Sequence, residues 1–275
     1  MKLRVLMDNN TYIDRYYLGE PAVCYYIEDG DRHILLDVGY SEAYLENARR
    51  MGIDLSRVTD IVISHGHNDH TGGLQAFFDA FGKTNVRITA CENAFAPKTY
   101  GELDIGSPLS ETDIRAYADL QLTNEPCRIS EHVTFLGAIK RQTNFENKTP
   151  IGKICAANAW QDDYLFEDTA LALETPNGVF LALGCSHSGV CNIILSAQAL
   201  FGQKRITGLI GGMHLFECDE QTEKTIDFLE KQHFDMLMPC HCTSFAVRAA
   251  MSRRLPLTEV GVGMELSWQE DRHAL

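Results

Sequence analysis

A chain of 275 residues with 45% hydrophobic and 23% charged residues carries enough apolar material for one large domain, in the proportions of an ordinary globular protein. Its formal net charge of −14 excludes a nucleic-acid backbone as substrate, and no apolar run of about eighteen residues marks a membrane span. The early Asp8 argues against a signal peptide, so a cytoplasmic protein is expected, with its nine cysteines as buried thiols rather than disulfides.

Leu3 to Met7 reads as a first strand, ending at Asp8-Asn9-Asn10. Val23 to Glu28 and His33 to Val38 read as two strands around the turn Asp29-Gly30-Asp31. Glu42 to Met51 has helical spacing, with Ser41 as N-cap and Gly52 as the stop. An apolar run from Val58 to Ile63 leads into Ser64-His65-Gly66-His67-Asn68-Asp69-His70-Thr71-Gly72-Gly73. Next comes a helix over Leu74 to Phe81, which Thr71 would cap, and a strand at Val86 to Ala90. From Cys91 to about Asp168 the periodicity weakens, Pro97, Pro108, Pro126 and Pro150 interrupt it, and only short strands are expected, at Arg128-Ile129 and Val133 to Leu136. The aromatic content of this stretch, Tyr100 to Tyr164, suits a lid or substrate wall better than a linker.

Regular structure returns with a hairpin, Thr169 to Glu174 and Val179 to Leu183, turning at Pro176-Asn177-Gly178. A helix over Gly189 to Phe201, a strand Ile206 to Ile210, a helix Glu220 to Gln232 and a strand Asp235 to Met238 follow. A helix from Ser244 to Arg254 and strands near Val260 and Met264 to Trp268 close the chain. This order suits an α/β fold of two mixed sheets face to face with helices outside, one domain over 1–275 with 91–168 as an irregular, lid-like insertion.

The residues His65 to His70 concentrate three imidazoles and a carboxylate behind a strand, which is how rigid scaffolds present metal ligands. Nitrogen donors with one harder oxygen suit zinc, and also iron or manganese, as one ion or two adjacent ones. Further ligands must come from distant strand ends. His187 and His241 are the candidates, and His214 is either a ligand or a hydrogen-bonded core residue. If His241 faces the metal, strand alternation turns Cys240 and Cys242 away as packed thiols.

His65-x-His67-x-Asp69-His70 resembles the signature of the metallo-β-lactamase fold superfamily, which implies a four-layer αββα sandwich. In Leu36-Asp37-Val38-Gly39, Asp37 resembles the superfamily's early Asp-x-Gly motif, whose carboxylate holds a ligand imidazole or loop amides. Asp8-Asn9-Asn10, Gly184-Cys185-Ser186-His187, Gly211-Gly212-x-His214 and Pro239-Cys240-His241-Cys242-Thr243 together resemble the branch of dihydropterin-6-ylmethyl-ribofuranosylaminobenzene-phosphate synthase-like proteins. One departure matters: dinuclear hydrolases of the superfamily carry a Gly-Asp pair where this chain has Gly184-Cys185, which leaves three expectations open: a loosely held second ion, one held by Asp69, His70 and His241 with water, or a single ion.

The resemblance implies metal-dependent hydrolysis or group transfer on a small, phosphorylated molecule (pterin-like or another phosphoester) by a metal-activated water that Asp69 orients or deprotonates. Arg141, after the apolar stretch Val133 to Ile139, is the candidate for gripping the phosphate. The rival readings are an iron-dependent oxidoreductase or dioxygenase on the same fold and a non-catalytic metal-binding module. The expected partner is a small molecule, with no nucleic acid or membrane, and homo-oligomer formation is left open.

Overall fold

The computed structural model describes residues 1–268. The chain opens with β1 (Lys2–Met7), β2 (Cys24–Asp29), β3 (Arg32–Leu36), α1 (Ala43–Arg50), β4 (Asp60–Val62), α2 (Asn68–Thr71), α3 (Leu74–Phe81) and β5 (Arg87–Ala90). Its middle holds β6 (Lys98–Tyr100), β7 (Leu103–Asp104), α4 (Glu111–Tyr117), β8 (Asp119–Leu122), β9 (Cys127–Arg128), β10 (Val133–Phe135), β11 (Lys153–Ala156) and β12 (Ala159–Asp162). The remainder runs β13 (Ala170–Thr175), β14 (Gly178–Leu183), α5 (Val190–Phe201), β15 (Ile206–Gly211), α6 (Glu220–Glu230), β16 (Met236–Pro239), α7 (Phe245–Met251) and β17 (Glu265–Ser267).

A seven-stranded sheet, in the order β17-β1-β2-β3-β4-β5-β8, faces a six-stranded sheet, β16-β15-β14-β13-β10-β9. Strand alternation explains the layers. On β2, Tyr25 and Ile27 point between the sheets, where they meet Phe135, Leu171, Phe180 and Ile210 of the opposite sheet. Cys24 and Tyr26 point outward to the core under Tyr44, Ala48, Phe77, Phe78 and Ile114 of the helices. Val179, Leu181 and Leu183 of β14 likewise pack against Ile193, Ile226 and Val247 on the far side. Both faces of each sheet are therefore covered, which is why the strands read as near-continuous apolar runs. The result is the four-layer αββα sandwich.

The topology places the ligand-bearing loops. β3, β4, β5 and β8 run parallel, as do β14, β15 and β16. Loops after β4, β14, β15 and β16 all leave the carboxyl ends of parallel strands, where open α/β sheets bind ligands.

Several local expectations change. α1 starts one residue later than expected, with Glu42 in the capping position and making no side-chain cap bond; Ser41 Oγ still accepts from the Ala43 N–H at 3.1 Å while donating to Glu20 Oε2 at 2.7 Å. Thr71 does not cap α3 either, because residues 68–71 form their own helical turn, in which Thr71 Oγ1 donates to the His67 carbonyl at 2.9 Å. The 91–168 stretch is less irregular than its sequence suggests. α4 and β8 extend the first sheet side and β9 and β10 the second, while β6, β7, β11 and β12 alone make a separate small sheet. No strand forms at Val260; Val262 makes only an isolated bridge to Thr11. Among the described residues no helix is long and apolar enough to cross a membrane.

Candidate metal centre

The short strand β4 ends at a brace. The backbone N–H of Ser64 donates to Asp37 Oδ1 at 2.7 Å and its hydroxyl donates to Oδ2 at 2.7 Å. The same Oδ2 accepts from His70 Nδ1 at 2.6 Å, so the His70 ring is turned with Nε2 toward the centre. Asp37 itself is fully buried. The loop can fold this tightly because residue 66 lacks a side chain: a Cβ there would lie 1.8 Å from the Ala94 carbonyl oxygen.

Two groups of donors result. In the first, His65 Nε2 lies 3.1 Å from His67 Nδ1 and 3.2 Å from His187 Nε2. In the second, Asp69 Oδ2 lies 3.4 Å from His70 Nε2 and 3.2 Å from His241 Nε2. Cys185 Sγ lies 3.1 Å from His70 Nε2 and 3.2 Å from His241 Nε2. Asp69 also falls within 4.8 Å of the His65 and His67 donors, and Cys185 within that distance of His65 and His187. These two side chains therefore stand between the groups.

The donors fit divalent cations. His65 Nε2 faces both His67 Nδ1 and His187 Nε2, and each neutral ring has only one N–H to give, so these nitrogens cannot all satisfy one another and a lone pair is left for a cation. Imidazole, carboxylate and thiol together match zinc better than a hard, all-oxygen ion.

The comparisons agree with this geometry. The family model for the metallo-beta-lactamase superfamily matches residues 18–118. A protein of Methanocaldococcus jannaschii named 7,8-dihydropterin-6-methyl-4-(beta-D-ribofuranosyl)-aminobenzene-5'-phosphate synthase is 30% identical over 225 residues, 78% of this chain and 76% of its own. The chain belongs to the metallo-beta-lactamase superfamily. An uncharacterized protein of the same organism is 27% identical over 260 residues, covering 91% of this chain and 94% of the relative. The solved structure of Tm1679, described as a metal-dependent hydrolase of the beta-lactamase superfamily, superposes with a TM-score of 0.85 at 26% identity, over 98% of this chain and 100% of that one.

Within this superfamily fold, the electrostatics divide the donors. Burial holds the His65 and His187 rings well below the ordinary imidazole pKa, helped by neighbouring imidazoles. Burial likewise takes His67 to about 3, with the buried Lys98 ammonium adding to the effect and Asp69 opposing it. These rings are neutral donors near pH 7. His70 goes the other way: burial disfavours its charge, but Asp69 and Asp37 outweigh that and raise it well above the ordinary value. Asp69 is correspondingly lowered, against its own burial, by His70 and His241.

The second half of the centre is carried on unusual backbone. Ser186, His214 and His241 have φ of 59°, 47° and 49°, and Asp37 in the first half has 58°. All four stand in the left-handed region at strand ends around the centre, where such conformations mark functional sites. His241 is oriented by Asn9, whose Oδ1 lies 3.1 Å from its Nδ1, and by Asp8, which accepts from its backbone N–H at 3.2 Å. Asn147 Nδ2 donates to the His187 carbonyl at 2.5 Å, and buried Asp168 accepts from the Ser188 N–H at 2.9 Å.

Sequence reasoning missed Cys185 as a donor, although its place two residues before His187 at a strand end was the available signal. It also turned Cys242 the wrong way. Alternation fails there because the chain turns at left-handed His241, and the Cys242 sulfur comes to lie beside Cys185. His214 joins neither donor group above; its ring packs 4.3 Å from His187 and 4.9 Å from Phe216. Arg141, the candidate for gripping a phosphate, lines a cavity with Lys140, Tyr164 and Phe166. Its guanidinium donates to the carbonyls of Ile139, Tyr164 and Leu165 at 3.1, 2.7 and 2.8 Å and to Asn147 Oδ1 at 3.2 Å, and it lies over the Phe166 ring. Through Asn147, whose Nδ2 donates to the His187 carbonyl, these bonds brace the wall behind His187.

Proposed function

We propose that the protein is a metal-dependent hydrolase or group-transfer enzyme acting on a small phosphoester, with a pterin-like phosphate as the first substrate class to try. The observation that carries this reading is the position of Asp69. Its carboxylate lies between the His65/His67 donors and the His70/His241 pair, and its side chain keeps 18% exposure while His70 has none. It is the acidic group of the centre open to an incoming water, which supports a role for it in orienting that water and taking its proton.

His65, His67 and His187 would hold one divalent cation, and Asp69, His70, Cys185 and His241 a second. Such ions supply Lewis acidity, lower the pKa of water and offset the chain's negative charge for an anionic substrate. Zinc suits the sulfur and nitrogen donors, with iron or manganese as alternatives. Asp37 keeps His70 aimed, and Asn9 does the same for His241. The hydrolytic direction is supported by the description of Tm1679, and the phosphorylated, pterin-like class by the name of the 30% identical relative.

The test is a substrate-class screen on metal-loaded protein with a generic phosphomonoester, phosphodiester, thioester and β-lactam. Chelator-sensitive turnover of a phosphoester is expected. No turnover of any class by protein carrying its full metal complement would contradict the reading and favour a non-catalytic metal-binding module.

A further inference from the structure

A third set of donors lies against the two groups described. The sulfurs of Cys185 and Cys242 and a ring nitrogen of His214 all fall within 4.8 Å of one another. Three features of the backbone bring them there. His214 and His241 are both left-handed, so the loops after β15 and β16 fold toward each other rather than prolonging the strands. The His214 backbone N–H donates to Cys242 Sγ at 3.3 Å and fixes that sulfur. Residue 212 is glycine, and a Cβ there would lie 2.4 Å from Cys242 Sγ and 3.2 Å from the Cys185 Cα. The two cysteines can approach only because that side chain is missing.

His214 adds a second kind of evidence. Its Nδ1 is buried and has no hydrogen-bond partner among the described residues. A buried ring nitrogen left unpaired is unfavourable unless something accepts its lone pair. Cys242 Sγ also donates to the Cys185 carbonyl at 3.5 Å, whereas Cys240 turns away into the core with its sulfur 3.3 Å from the Tyr25 hydroxyl.

We propose that Cys185, Cys242 and His214 form a seat for one thiophilic cation of the Zn²⁺, Cd²⁺ or Cu⁺ class, next to the position framed by Asp69, His70 and His241. Two sulfurs and an imidazole select soft or borderline ions over magnesium, calcium or manganese. Cys185 joins the two positions, because its sulfur also lies 3.1 Å from His70 Nε2 and 3.2 Å from His241 Nε2, and a thiolate can serve two cations. The assignment does not depend on the hydrolytic reading, and a failed substrate screen leaves it standing.

Cadmium(II) is the probe. It is titrated anaerobically into metal-free, reduced, full-length protein, with bound metal counted by elemental analysis and thiolate-to-cadmium absorption followed. Cys242→Ser and His214→Ala should each bind one cadmium fewer per chain than the parent protein at the same free cadmium, and Cys242→Ser should lose thiolate absorption. Cys240→Ala should bind the full complement. Alkylation of the unmodified protein, read by mass spectrometry, supplies a check that no folding defect can confuse: cadmium should shield Cys242 together with Cys185 while leaving exposed Cys218 open. An unchanged cadmium count in either Cys242→Ser or His214→Ala, or equal alkylation of Cys242 with and without cadmium, overturns the proposal.

Discussion

The two halves of the molecule supply the centre by opposite means. The first delivers four donors within six residues after one strand, β4, through a loop compacted by Gly66 and locked by the buried Asp37. The second delivers its donors after two separate strands, Cys185 and His187 after β14 and His241 after β16, with Ser186 and His241 in left-handed conformations. Such residues cost on the order of 1–3 kcal/mol each and persist only where their surroundings over-determine them. The first half is thus a preformed ligand loop. The second depends more on what its donors hold, so chelation should raise hydrogen exchange after β14 and β16 more than in residues 64–72. Equal protection loss in both regions would erase the distinction.

The largest effect of a substitution is expected in the first half. Asp69→Asn should keep the fold and lower turnover by about a hundredfold or more, the scale of a lost general base. Near-normal turnover at saturating metal would show that another group activates the water.

The braces come next. Asp37→Asn should weaken metal binding by about ten- to a hundredfold, the usual cost of removing a ligand's hydrogen-bonded support. Asn9→Ala, acting on His241 from an exposed position, should cost less. The reverse order, measured by competition with a chelating dye, would mean that the second half is the stiffer one.

A smaller effect is expected from Arg141→Ala. Loss of a guanidinium that serves three carbonyls should reduce stability by about 1–3 kcal/mol and leave the ratio of KM values for a phosphorylated and a neutral substrate unchanged. A selective rise in KM for the phosphorylated substrate would restore Arg141 to the substrate site.

The mildest change concerns pH. Burial raises Asp168 from 3.8 to about 6, against the hydrogen bonds from Ser188. A carboxyl raised in the folded state favours folding most below its unfolded pKa, and that contribution is lost as pH rises through the folded value. The Asp168 contribution should therefore fall from about pH 4 to about pH 6, against the rise contributed by the buried neutral histidines, and Asp168→Asn should remove that component from the pH dependence seen in urea titrations. An identical slope in the variant would assign it to other groups.

The first half was legible in the sequence because its signals are local. His65 to His70 form one contiguous cluster, β2 and β3 read as near-continuous apolar runs between turn signals, and α3 follows the 3.6 period. His187 and His241 could be placed because each follows a clear apolar strand. The side Cys242 faces was not legible, since a left-handed histidine leaves no mark on an alternation pattern. β9 and β10 fall on the short strands expected at Arg128-Ile129 and Val133 to Leu136, whereas the four-residue β8 is too short to show a period. Arg141 sits among charged and polar residues as a phosphate-binding arginine would; the carbonyls that occupy it come from residues 139, 164 and 165 and meet only in the folded chain.

The central claim is that one metal centre is built jointly by the two halves. Elemental analysis of His67→Ala and His241→Ala, one ligand from each half, prepared beside the parent protein in the same metal-buffered medium, tests it most directly. Both variants should lose bound metal while keeping the parent far-UV circular dichroism. Full metal content in either one would show that its half does not hold the ion, and would contradict the account.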